Sequence, residues 1–143
     1  MARAARAIAT LIFQTRCADH ARSSGLHRDM REMIRWAEGK FSEMTAAEHH
    51  LSGDGFLSTP LDYAAMIFGG TETMKVSGCA VLAPLYNPLN LAERITFLDL
   101  VSNGRFRTVL ALGYREQEYR AAGVRLRENL EALKLLMERP GFG

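Results

Sequence analysis

Short apolar runs alternate along the chain with longer stretches whose apolar residues recur at helical spacing. Residues 8–15 (IATLIFQT) form an apolar run with β-branched members and predict a strand. A polar stretch with Ser23, Ser24 and Gly25 follows. Residues 27–40 then place Met30, Met33, Ile34 and Ala37 at i, i+3, i+4 and i+7, which predicts an amphipathic helix closing near Gly39. Residues 41–50 (FSEMTAAEHH) read as a weaker second strand, because alanine and glutamate are poor strand formers. Thr59 is placed to cap a helix with Pro60 at its first position, ended by Gly69 and Gly70. Residues 74–84 return to a strand. Asn87 and Pro88 open a helix over 88–102, with Leu91, Ile95 and Leu98 on one face and Asn103 and Gly104 as its stop. Residues 105–113 are the fourth strand. A short helix follows, then a longer one over 125–140 carrying Leu126, Leu130, Leu133 and Met137 on one face.

The order is β-α four times over, so the fold class is α/β with parallel strands and right-handed crossovers. Two architectures accommodate four such units. One is a small open sheet; the other is the first half of a (β/α)8 TIM barrel, which takes ~250 residues when complete. The ending ERPGFG follows a helix at the point where another strand would begin, and favours the half-barrel, one unit over 1–143 with no internal boundary. A half-barrel leaves both outer strands with unpaired backbone groups, so a dimeric, marginally stable or aggregating chain is expected.

Composition narrows the function. The 143 residues are 48% hydrophobic and 24% charged, enough for a real core, with a formal net charge of +2. Aromatic residues are not interleaved with basic ones, so nucleic acid is not an expected partner. No apolar run approaches the ~20 residues of a membrane span. The start has two arginines, many alanines and no acid before Asp19, yet its apolar stretch is short for a secretory signal and no clear cleavage site follows, so a cytoplasmic protein is expected. Cys17 and Cys79 have neither CxxC spacing nor metal-like clustering and read as free thiols.

In parallel α/β proteins chemistry collects at the carboxyl ends of the strands. Those ends carry Gln14 to Arg16, then Glu48, His49 and His50, then Ala83 to Tyr86, then Gly113 to Arg115. The Glu-His-His stretch has three readings: hydrogen-bonded residues with no chemistry, a metal site on Glu48 and His50, or acid–base chemistry by one histidine oriented by a carboxylate. Strand alternation would put Glu48 and His50 on one face and His49 on the other. Two ligands do not close a zinc site, and neither HExxH nor HxH is present. Gly113 would let a planar ligand or its phosphate approach the backbone, and Arg115 could pair an anion, although an ordinary strand-to-loop glycine has the same pattern. There is no GxGxxG and no Walker lysine.

Taken together, AAEHHLSGDGFLSTPLDYAA, VSGCAVLAPLYNPLNLAERITFLDLVSNGRF and LGYREQEYRAAGV resemble, in order and at the right distances, the bacterial luciferase-like flavin-dependent monooxygenases. The resemblance runs from the first strand to about Val124. It implies a (β/α)8 barrel that binds reduced FMN or a deazaflavin at its C-terminal mouth, a small organic substrate, and either oxygen activation on the reduced flavin or hydride transfer with the deazaflavin. It further implies a flavin reductase as supplier of the reduced cofactor, and dimerisation through the helices near the second and third strands. By position, His49 matches the family's acid–base histidine, with Glu48 and His50 as its neighbours at the flavin. The bond between Cys79 and Ala80 matches a bulged, non-prolyl cis peptide against the flavin ring, and Gly113 and Tyr114 match the turn beside the isoalloxazine. The luciferases proper carry a reactive cysteine where this chain has Ala111 and an arginine where it has Leu112, so light emission is not implied. A rival expectation is a non-catalytic half-barrel that associates with itself or another subunit through apolar helices, residues 64–70 above all. A metal hydrolase on Glu48 and His50 is the third.

Overall fold

The computed structural model describes residues 10–13, 15–17 and 19–123, with positions 131, 134 and 135. Gln14 and most of the expected last helix, including Leu126, Leu130, Leu133 and Met137, lie outside the described residues. The elements are β1 (Thr10–Phe13), α1 (His20–Ala37), β2 (Glu43–Ala46), α2 (Pro60–Phe68), β3 (Lys75–Leu82), a 3-10 turn over Ala83–Leu85, α3 (Pro88–Ser102), β4 (Phe106–Ala111) and α4 (Glu116–Ala122). The strands form one parallel sheet in the order β1-β2-β3-β4, the arrangement of a half-barrel. No helix among the described residues is long and apolar enough to cross a membrane.

Strand periodicity divides the sheet into two faces. Met44, Ala46, Val76 and Phe106 are buried under the helices, in a core that includes Met30 and Ile34 of α1, Leu61, Ala64 and Ile67 of α2, and Leu91 and Leu98 of α3. The register aligns Ile12, Thr45, Ser77 and Arg107 across the other face. That face is open: Ile12 is 65% and Val109 52% exposed. Arg107 lies across it to donate to Glu43 Oε2 at 2.5 Å. β3 carries an irregularity there, because Cys79 opposes Val109 while Val81 opposes the next residue, Leu110. Ala80 is therefore an extra residue, a β-bulge that reverses the alternation. Lys75 and Cys79 are exposed before it, and Val81 is wholly buried after it.

Several expectations need correction. α1 begins at His20, so Ser23, Ser24 and Gly25 are helical rather than a loop. The reason is packing: Leu26 lies one turn before Met30 and extends the stripe against the core. Met33, expected on that stripe, is 41% exposed. β2 is also shorter than expected, ending at Ala46, so Glu48 to His50 stand just past the strand. α3 has the expected bounds. Asn87 Oδ1 accepts from the amides of Leu89 and Asn90 at 3.0 and 3.2 Å, and Asn103 closes the helix in the left-handed region at φ 56°. Thr59 precedes α2 without a side-chain capping bond.

The end of the sheet remote from Glu48 is held by Arg105. Its Nε donates to Ser102 O at 2.7 Å and its Nη1 to Met74 O at 3.0 Å, and the guanidinium lies 4.9 Å from the centre of the Phe68 ring. One side chain so joins the end of α3, the start of β3 and α2. Arg105→Ala is expected to cost about 2 kcal/mol in urea unfolding, from the orphaned carbonyls and the lost ring contact. An unchanged midpoint would count against this joint.

Candidate active site

The segment after β2 projects its three ionisable groups in different directions. Glu48 turns inward, and its side chain is completely buried. Its Oε2 accepts from the Leu82 amide at 2.7 Å, and its Oε1 from the Tyr86 hydroxyl at 2.7 Å. His50 Nε2 lies 2.6 Å from the same Oε1. Glu48 thus ties the end of β2 to the end of β3 and the turn beyond it. Burial pushes the Tyr86 phenol well above its usual range, and the adjacent Glu48 carboxylate adds to the shift, so Tyr86 stays protonated and remains a donor.

His49 points away from this network, as strand alternation predicts for neighbours. Its backbone amide donates to Leu57 O at 3.0 Å, which draws the loop between β2 and α2 over the site. The ring packs edge-on against Phe56 with centroids 4.7 Å apart, and its centroid is 6.2 Å from that of Tyr114. Roughly a third of the side chain, 30%, remains exposed, so the imidazole is held yet reachable.

β3 and β4 supply the adjoining wall. The peptide bond between Cys79 and Ala80 is cis, the geometry that the resemblance implies, and the Cys79 side chain lies on the open face. Gly113 has φ +80°, and a β-carbon there would meet a Leu82 methyl and the Tyr119 hydroxyl at 3.4 Å each. That left-handed turn presents Tyr114, 82% exposed, at the mouth. Glu48, Leu82 and Gly113 form one connected set, as do His49 and Tyr114, while Cys79 and Ala80 join through β3.

The sequence reading singled out Arg115 but not Glu118. Glu118 of α4 is buried, and its Oε1 accepts from the His50 amide at 2.9 Å and from Arg115 Nη1 at 3.2 Å. Arg115 Nη1 also donates to His50 O at 2.8 Å. Arg115 is therefore engaged within the protein through Nη1. The only signal for Glu118 in the sequence was its place in EQEYRAAG, where a helical glutamate ordinarily reads as a solvated charge. Among the described residues no group of three or more His, Cys, Asp or Glu is disposed to hold a metal ion.

A parallel half-barrel with buried carboxylates behind a reachable histidine at its carboxyl mouth is the first half of a (β/α)8-type fold in outline. The chain matches the luciferase-like monooxygenase family over residues 8–139 and belongs to it. It is 31% identical over 121 residues to the protein y4vJ of Sinorhizobium fredii, covering 84% of this chain and 34% of that one. It is 27% identical over 135 residues to the oxygenase component of the flavin-dependent trigonelline monooxygenase of Acinetobacter baylyi, covering 87% and 38%. Its fold is similar, with a TM-score of 0.78 and 21% identity, to the oxygenating constituent of 3,6-diketocamphane monooxygenase of Pseudomonas putida, solved in complex with FMN, over 92% of this chain and 39% of that one. The chain so spans little more than a third of the length of these relatives.

Proposed function

We propose that this chain forms the ring-binding wall of a flavin-dependent monooxygenase that acts on a small organic substrate. The observation that carries the reading is the convergence of His49, the cis Cys79–Ala80 bond and the Gly113–Tyr114 turn at one end of the sheet. Small groups at Ala80 and Gly113 fit a flat aromatic ring lying against backbone. Bound there, reduced FMN would supply electrons and the site of oxygen activation; a deazaflavin would supply hydride instead. The residues of this chain bind and orient the ring, exclude water and move protons. His49 Nδ1 faces Glu118, which leaves Nε2 to give or take a proton. Molecular oxygen and a flavin reductase complete the reaction, consistent with a relative that is the oxygenase component of its system. A cytoplasmic location belongs to the same reading.

Anaerobic titration of reduced FMN into the 143-residue chain, followed by fluorescence, tests the wall directly. Saturable binding is expected. Its absence would remove the ring site from this part of the fold.

A second reading, association through apolar helices without catalysis, has its own observation. α2, whose low charge first supported it, is largely buried. α3 instead presents Phe97, Leu100 and Val101, exposed by 60, 73 and 51%. This face is also our candidate for a dimer contact.

A further inference from the structure

We infer that Glu118, tempered by Arg115, is the positioning residue for His49: it fixes the loop that carries the imidazole and supplies the negative charge facing Nδ1. A carboxylate with 2% side-chain exposure must be compensated, and Glu118 Oε1 is compensated by two donors, the His50 amide at 2.9 Å and Arg115 Nη1 at 3.2 Å. The same Arg115 nitrogen donates to His50 O at 2.8 Å. Both backbone polar groups of residue 50 are thereby pinned from α4, with the His50 ring fixed independently on Glu48. His49, one residue earlier, has its own amide on Leu57 O. The peptide between the two histidines is fastened on both sides, and the direction of the His49 ring follows.

The charge is the second part. Glu118 Oε1 lies 4.0 Å from His49 Nδ1, beyond a hydrogen bond but well inside electrostatic range. The other charged or titratable groups around the ring are Arg115 just before α4, Tyr114 beside it, His50 and Glu48 after β2, and Arg16, whose guanidinium lies 5.0 Å from the centre of the Phe56 ring and which pairs with Asp54 at 3.5 Å. Of these, Glu48 is spent on His50, Leu82 and Tyr86. Glu118 is thus the carboxylate that faces His49, and Arg115 opposes its effect. The contact sets Nδ1 against Glu118 and leaves Nε2 as the ring nitrogen away from it.

The inference rests on the proposed role of His49, but its test needs no flavin, so either can fail alone. The probe is diethyl pyrocarbonate, which acylates unprotonated imidazole, with fragment mass spectrometry separating His49 from His50 across a pH series. Glu118→Gln keeps an acceptor for the His50 amide and removes the charge. The midpoint of the His49 profile is expected to move to lower pH by about 0.5 unit or more. Arg115→Met is expected to move it the other way, while the exposed His27 on α1 serves as an unmoved control. A purely structural Glu118 would leave the profile in place. A folded Glu118→Gln variant whose His49 midpoint matches wild type overturns the inference; if that variant does not fold, an unmoved midpoint in Arg115→Met does the same.

Discussion

Replacement of His49 by alanine is expected to lower turnover about 10²-fold while reduced FMN binds as before. The two effects separate because the ring of His49 is only one edge of the site. Its removal deletes the group that moves the proton and leaves the β3 and β4 wall, with the cis Cys79–Ala80 bond and the Gly113 turn, in place. Phe56 and Tyr114 lose a packing partner at 4.7 and 6.2 Å, a loss confined to a partly exposed contact. Steady-state assays with reductase-supplied reduced FMN, beside a direct flavin titration, separate the two. Equal turnover in wild type and variant would end the acid–base role. A parallel collapse of flavin affinity would make His49 a binding residue instead.

Replacement of Glu48 by alanine should act on the fold before it acts on chemistry. Its carboxylate is the acceptor for the buried Leu82 amide and for the Tyr86 hydroxyl. The Leu82 amide is buried, and leaving it without Glu48 costs ~1–3 kcal/mol; with the loss of the Tyr86 bond the expected loss of stability is about 2–4 kcal/mol. Glu48→Gln retains an acceptor and should recover at least half of that. The check is a pair of urea unfolding curves on the two variants. A loss under about 1 kcal/mol in the alanine variant would mean that these bonds are replaced on unfolding at little cost. Its burial gives Glu48 the part of a tie between two strand ends.

The elements most legible in the sequence were those with chemical punctuation. Asn87-Pro88 and Asn103-Gly104 bracket α3 as expected, because one side chain caps the first turn and one left-handed residue ends the last. The start of α1 was illegible because Ser23, Ser24 and Gly25 are weak helix formers that read as a loop, and packing of Leu26 against the core carries the helix through them. At the site, the place of Glu48, His49 and His50 followed from the parallel topology, since strand ends are where such groups gather. What they contact did not follow. Tyr86 is 38 residues from Glu48 and Glu118 is 68 from His50 in the chain, and no local pattern reports pairings of that length.

The bulge at Ala80 also sets how this strand tolerates changes in length. With that residue deleted, Val81 would follow Cys79 directly and still oppose Leu110 on the helix side, whereas one residue lost from 75–79 would send the strand beyond it to the opposite face. The Leu82 amide would turn away from Glu48 with it. The loop over 51–56 has no such arithmetic, because its residues oppose no strand. Changes of length are therefore easier in the loop over the mouth than in the regular part of β3, where geometry reads parity rather than identity.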